Sequence, residues 1–282
     1  MKIKAKLGSG QVAIVTGGSS GIGKSIACSL ARRGMDVWLV AQRKDILDAA
    51  RIEVETQRQN QNQKIGTVSA DVSDIEQAQV AVEKVTQKSG PPDLLINSAG
   101  VAHPGYIQDL DINIFNWMME VNYFGTVFMT KEVLREMLKR GTGYIVNISS
   151  MAGIISVFGY TAYGASKYAV KGFSDALRQE MKLHKIGVSV VYPSDTDTPQ
   201  LEYENRIKPP ETKALGSIGG SMSADEVAKE TISGIERGRY MIIPGLEGKV
   251  FYHLNRLLGS GFNPIMDKII ADTVKKKNLT HQ

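Results

Sequence analysis

From residue 11 to about residue 192, short runs rich in Val, Ile and Leu alternate with segments of helical period. No other feature limits the possible folds so strongly. The runs at 12–16, 36–41, 65–70, 94–97, 144–149 and 188–192 scarcely alternate between apolar and polar residues, as strands covered on both faces do. The segments 21–33, 45–61, 73–88, 112–140 and 161–182 carry the helical pattern between them. Such a βαβ rhythm predicts one mainly parallel sheet with helices on both sides, closed by right-handed crossovers into a doubly wound α/β domain. A barrel of eight βα units needs more strands than these six or seven.

The rhythm stops after Tyr192. Residues 193–222 hold Pro193, Pro199, Pro209 and Pro210 together with Gly216, Gly219 and Gly220, which predicts an irregular lid segment. Ser223 and Glu226 form a capping-box pattern ahead of a helix over 224–237, and 240–243 reads as a last strand. The domain is thus expected over 11–245, followed by an amphipathic tail over 246–282. In that tail Val250, Phe251, Leu254, Leu257, Leu258, Phe262, Ile265, Ile269 and Ile270 recur at roughly helical spacing beside Arg256, Lys268 and Lys275-Lys276-Lys277. Two readings compete. A basic amphipathic segment lies reversibly in a membrane interface; a helix of the same pattern also closes a pocket or a subunit contact, and Gly259, Gly261 and Pro264 interrupt the period. The Gln-rich patch at 57–63 reads as a solvated helix end and loop.

The balance of charge is +5 over 282 residues, too little to argue for nucleic acid. Cys28 is the single cysteine, which excludes an intrachain disulfide and a multi-cysteine metal site and suits a reducing compartment. The basic start is followed by no signal-like apolar stretch, and no run reaches the roughly 18 apolar residues of a spanning helix. The sequons at Asn147 and Asn278 are read as chance. The expectation is a cytoplasmic protein without metal, in peripheral contact with a membrane at most.

Between the first strand and first helix lies Thr16-Gly17-Gly18-Ser19-Ser20-Gly21-Ile22-Gly23. Glycines there let backbone approach a pyrophosphate, and the helix N-terminus adds amide donors and a positive dipole end. This marks a Rossmann-type dinucleotide site, although the spacing departs from Gly-x-Gly-x-x-Gly. Gly17 to Gly21 also satisfies the Gly-x-Ser-x-Gly elbow of α/β-hydrolases, but that elbow normally follows a later strand. The second strand ends in Ala41-Gln42-Arg43-Lys44, with no carboxylate before Asp45. Arg43 suits a 2′-phosphate, which a carboxylate would repel, and Ser19 and Ser20 add hydroxyl donors. NADP(H) is therefore expected, against the plainer reading that Arg43 and Lys44 only begin a solvated helix.

Tyr163 and Lys167 share one helix face. An ammonium near a phenol stabilises its ionised form and draws its pKa toward the working range. Ser150, at the end of the preceding strand, is placed to hydrogen-bond a carbonyl oxygen. With these residues and with Asp71-Val72, Asn97-Ser98-Ala99-Gly100, Asn122, Ser149-Ser150 and the stretch 193–198, the chain resembles the short-chain dehydrogenase/reductase family across roughly 11–245. The resemblance implies a Ser150–Tyr163–Lys167 site with Asn122 completing a water-linked proton relay. It further implies a cofactor held by Gly17, Ser19, Ser20, Gly21, Ile22, Gly23, Arg43, Asp71, Val72, Asn97, Gly100, Tyr163, Lys167, Pro193, Thr196 and Thr198, and a homodimer or homotetramer. Two positions depart from the family pattern: Ser98 stands where a second Asn is usual, and Ser194 where Gly is usual.

A narrower resemblance is carried by Asp195-Thr196-Asp197-Thr198-Pro199, Glu204-Asn205-Arg206 and Lys208-Pro209-Pro210-Glu211-Thr212. It is to members of the family that reduce the 3-keto group of long-chain sphingoid bases with NADPH, and it implies a long-chain keto-sphingoid substrate. Asp195 and Asp197 are candidates to meet the ammonium of such a substrate, or turn residues. A general 3-oxoacyl or hydroxysteroid reductase and a non-catalytic NADP sensor are the alternatives; a sensor has no need of Ser150, Tyr163 and Lys167 together.

Overall fold

The computed structural model describes residues 2–216 and 220–279. The first half runs β1 (Val12–Thr16), α1 (Gly21–Ala31), β2 (Asp36–Ala41), α2 (Lys44–Glu55), β3 (Ile65–Ser69), α3 (Ile75–Ser89), β4 (Leu94–Asn97), α4 (Ile112–Met118), α5 (Gly125–Arg140) and β5 (Gly143–Ile148). There follow α6 (Thr161–Leu183), β6 (Ile186–Val191), β7 (Asp195–Asp197), α7 (Pro199–Ile207), α8 (Pro210–Gly216), β8 (Ser221–Ser223), α9 (Ala224–Glu236), β9 (Met241–Ile242), α10 (Leu246–Leu258) and α11 (Asn263–Leu279).

The main sheet has seven parallel strands in the order β3-β2-β1-β4-β5-β6-β9. It is the expected doubly wound Rossmann arrangement. One buried cluster, with Val15, Leu39, Leu47 and Ile232, fills one face; another, with Ile14, Val40, Val82 and Met129, fills the other. Burial on both faces explains why the strands scarcely alternate. The strand order reverses between β1 and β4, and a doubly wound sheet opens its crevice at such a reversal, beyond the carboxyl ends of the strands.

Three expectations need correction. The helix expected over 112–140 is broken: a π-helical turn at Met119–Phe124 separates α4 from α5 and carries Asn122. The lid expected to be irregular is mostly helical. Pro199 and Pro210 open α7 and α8, where a missing N–H costs nothing and the fixed φ favours the helix. The Thr198 side chain caps α7 by accepting from Leu201 N, and β7 pairs with β8 to form the lid's base. Of the expected lid, residues 217–219 (Gly219 among them) lie outside the described residues.

The polar patch at 57–63 is not simply solvated either. Gln63 is 5% exposed; its amide nitrogen donates to Ala31 O and Met35 O, and its amide oxygen accepts from Gln59 N and Asn60 N. It thus ties the end of α1 and the approach to β2 to its own loop.

The tail forms α10, a 3₁₀ turn at Gly259–Phe262 and α11, broken where the glycines predicted. Phe262 and Met266 are buried with Ile155 and Leu215, so the tail packs onto the lid and the β5–α6 connection. The side chains of Lys276 and Lys277, and residues 280–282, lie outside the described residues. Among the described residues no helix is long and apolar enough to cross a membrane.

Candidate active site

A cavity of about 390 Å³ opens at the C-terminal ends of the strands and runs from the β1–α1 turn to the lid. Its first wall is backbone. Gly17 has φ +63°, and a Cβ there would meet Ser98 O at 2.7 Å. A Cβ on Gly23 would lie 2.4 Å from Gly17 O. Neither position has room for a side chain, so the turn stays flush with the cavity. Thr16 holds the facing loop: its hydroxyl oxygen accepts from Ser98 N at 3.0 Å and Ala99 N at 3.1 Å. At the N-terminus of α1 the Ser20 side chain makes no capping bond, leaving the first amide donors unspent on the cavity side.

Gly17, Ser19, Ser20, Gly21, Ile22, Gly23, Arg43, Asp71, Val72, Gly100, Pro193, Thr196 and Thr198 all line this cavity, as do Ser150, Tyr163 and Lys167. Asp71 turns one carboxylate oxygen to Ser73 N and Oγ, at 2.8 and 2.5 Å. Arg43 is exposed and has no ion-pair partner among the described residues.

Asn97 and Asn122 are not on the wall. Asn97 is buried beneath it, paired in register with Asn147 on β5. Its amide nitrogen donates to Asn147 Oδ1 at 2.9 Å and Thr130 Oγ1 at 3.0 Å, while its own Oδ1 has no partner among the described residues. Asn122 spends its side chain on the loop after β4, accepting from Val101 N at 2.8 Å and donating to Val101 O at 2.9 Å and Ser166 Oγ at 2.8 Å. Both asparagines fix the shape of the cavity from behind. Asp197, a candidate for a substrate ammonium, is exposed and also off the wall; Asp195 lines it.

Tyr163 and Lys167 project from α6 into the cavity. Lys167 Nζ donates to Ile148 O at 3.2 Å and lies 5.6 Å from the centre of the Tyr163 ring. Burial draws the Lys167 ammonium down to about 8, opposed by the negative charge of Glu204. Burial pushes the Tyr163 phenol above its ordinary range, Glu204 adds to this, and a hydrogen bond with the Ser150 side chain works against it. The lowering expected from Lys167 is not what opposes the burial of Tyr163 in this state; the Ser150 hydrogen bond is.

At the other end the cavity is lined by residues of the lid, the tail and the β5–α6 connection, of which only Phe251 stood among the tail positions offered for closing a pocket. Tyr160, Gln200, Glu204 and Lys208 form its polar side, while Leu201, Leu215, Phe251 and Met266 form its apolar side. Glu204 and Lys208 stood in the quoted lid motif without a role. Their spacing on a helix was a signal, hidden because this stretch was read as irregular.

Residues 11–208 match the family model described as short chain dehydrogenase. The chain belongs to the short-chain dehydrogenase family. Curated relatives of this short-chain dehydrogenase include a 3-dehydrosphinganine reductase of Danio rerio, 40% identical over 89% of this chain and 75% of the relative. A 3-ketodihydrosphingosine reductase of Bos taurus is 38% identical over 83% of this chain and 71% of its own length. Among solved structures, a short-chain dehydrogenase from Sphingobium yanoikuyae in complex with NADPH superposes with TM-score 0.75, at 28% identity, covering 91% of this chain and 96% of that one.

The wall of this short-chain dehydrogenase fits a dinucleotide of the NADP type. The flush glycine turn and open α1 amides suit a pyrophosphate. At the end of β2 the lining residues are Ala41, Gln42 and Arg43, with no carboxylate among them.

Proposed function

We propose that this protein uses NADPH to reduce the 3-keto group of a long-chain keto-sphingoid base, 3-ketodihydrosphingosine, to the alcohol. The observation that carries the reading is the convergence of Ser150, Tyr163 and Lys167 on one cavity whose far end is closed by apolar lid and tail residues. The names of the relatives narrow the ketone. Incubation with 3-ketosphinganine and NADPH, followed by mass analysis, should give a product heavier by two hydrogens; turnover of 3-oxoacyl or steroid ketones with none of the sphingoid ketone would overturn it.

The turn from Gly17 to Gly23, Arg43, Asp71, Val72, Gly100, Pro193, Thr196 and Thr198 would hold the cofactor, with Arg43 toward its 2′-phosphate. When bound, NADPH supplies the hydride that the ketone carbon accepts. In our reading Tyr163 gives its hydroxyl proton to the ketone oxygen and Ser150 donates a hydrogen bond to the same oxygen, fixing its direction. Lys167 offsets the charge left on the Tyr163 oxygen and later passes a proton to it. Asn122, its side chain committed to Val101 and Ser166, positions the loop that carries Gly100 and contributes to a relay only through main chain and water.

Residues 11–245 then act as the reductase and 246–282 as a tail with two faces. Phe251 and Met266 line the cavity, while Leu246, Val250, Leu254 and Leu257 point out from α10, Leu246 and Leu257 being 75% and 82% exposed. We read this outer face, with the exposed Arg256 and Lys268 nearby, as a peripheral membrane contact that lets an apolar substrate enter from the bilayer. Anionic vesicles should co-sediment the protein at low salt, and serine at Val250 and Leu257 should abolish this. Ile112 and Trp117 on α4, Phe124 on the π-helical turn and Leu138 on α5, all exposed, are read as a homodimer or homotetramer face; a monomer mass on sedimentation would end that part.

A further inference from the structure

The reaction as written leaves three charged groups of the cavity without a task, Asp195, Glu204 and Lys208. Glu204, on α7, is 6% exposed and lines the cavity. Its carboxylate accepts from the Tyr160 hydroxyl and from Gln200 Nε2 at 3.0 Å. The nearest ammonium, Lys208 Nζ, is 3.7 Å away and pairs more closely with Asp195 Oδ2, at 3.1 Å. Glu204 therefore holds neutral donors and only a shared ion pair, in a site where an incompletely compensated carboxylate is costly.

Its position is also unfavourable for the proposed chemistry. The Tyr160 ring bonded to Glu204 lies 5.2 Å, centre to centre, from the Tyr163 ring. The carboxylate is near enough to hold the Tyr163 phenol up. A negative charge beside the proton donor opposes the phenolate that forms as the proton leaves. Such a placement serves a reductase only if a cation arrives with the substrate. A 3-keto sphingoid base brings one, because its ammonium sits on the carbon next to the carbonyl. With the carbonyl oxygen at Tyr163, that ammonium lies a few bond lengths from it, inside the cavity that Tyr160 and Glu204 also line.

We propose that Glu204 receives the substrate ammonium and makes the enzyme selective for 2-amino ketones over ketones lacking the amine. This rests on the sphingoid-ketone reading above. Asp195 keeps the neighbouring Lys208 neutralised, so that Lys208 does not repel the incoming cation. Docking of the ammonium also cancels the field of Glu204 on Tyr163, and proton transfer becomes easier only when the amine is present. The selectivity thus enters through the chemical step as well as through binding.

The test compares kcat/KM for 3-ketosphinganine and for its 2-desamino analogue of the same chain length, in the wild type and in Glu204→Gln. Glutamine keeps an acceptor for Tyr160 and loses the charge. The wild type should prefer the amine by about 10²-fold or more, the size expected for a buried charge pair, and Glu204→Gln should bring the two substrates within about tenfold. Retention of the full preference by Glu204→Gln, with NADPH binding intact, would overturn the proposal. Equal use of both ketones by the wild type would overturn it without recourse to any variant, while leaving the sphingoid-ketone reading standing. If the wild type reduces neither ketone, both readings fall.

Discussion

At the end of the cavity formed by the β1–α1 turn, the wall is main chain and short side chains set by the ends of parallel strands. Under the lid it is long side chains, Tyr160, Glu204, Lys208, Phe251 and Met266, brought together from four separate segments. The first end is fixed by local geometry: Gly17 and Gly23 have no space for a Cβ, and Thr16 pins the opposite loop. The second exists only once α7, α8 and α11 have packed on one another. The contrast teaches that the cofactor end tolerates little variation, whereas the ketone-specific end can be rebuilt by changing helix-borne side chains on the same frame.

The point where the two ends meet gives the largest expected effect. Tyr163→Phe keeps the ring and removes the proton, so turnover should fall by about 10² or more while NADPH affinity, read by fluorescence titration, is retained. Turnover within threefold of wild type would detach Tyr163 from the chemistry. Arg43→Ala probes the cofactor end alone. Loss of a charge-assisted contact should weaken NADPH by about 10- to 10²-fold and leave NADH nearly unchanged; equal losses for the two would mean that Arg43 does not read the 2′-phosphate.

A smaller effect is expected from the lid end. Phe262 is buried against Phe251, with ring centres 5.1 Å apart, and Phe251 lines the cavity. Phe262→Ala should loosen the tail from the lid, at a cost of about 3 kcal/mol or more in local packing. It should raise KM for the long-chain ketone severalfold and spare NADPH binding. A parallel loss of NADPH affinity would mean that the two ends are not separable.

The same division explains what the sequence disclosed. The strands at 12–16, 36–41 and 94–97 were legible to the residue because burial on both faces imposes a continuous apolar run. The glycine turn was legible because only glycine fits it. The lid was misread because proline was taken as a breaker, when Pro199 and Pro210 stand at helix first turns. The π-helical turn around Asn122 left no mark in a helical period that continues on both sides of it. The family pattern placed Asn97 against the cofactor and Asn122 in a water-linked relay. Their distance behind the cavity wall follows from hydrogen bonds to Thr130, Asn147, Val101 and Ser166 that no linear spacing encodes.

The smallest effect expected is one of pH on stability, and it belongs to the group between the two ends. Burial draws Lys167 down to about 8 from an ordinary 10.5, so between these values the unfolded chain holds a proton that the folded chain has released. Stability contributed by this group therefore rises with pH across that window. Below about 8 the ammonium is charged in both states and its full burial cost is felt. Lys167→Met removes the titrating group, so the wild type should gain on the variant in urea midpoint as the pH is raised from 7 to 9.5. The buried tyrosines, whose ordinary phenol pKa is near 10, are present in both proteins, so most of their own pH dependence cancels in the difference. A gap between the two proteins that is constant over this range would mean that Lys167 keeps its proton in the folded state. Tyr163 would then face a full ammonium throughout, and the field of Glu204 would weigh less against proton transfer.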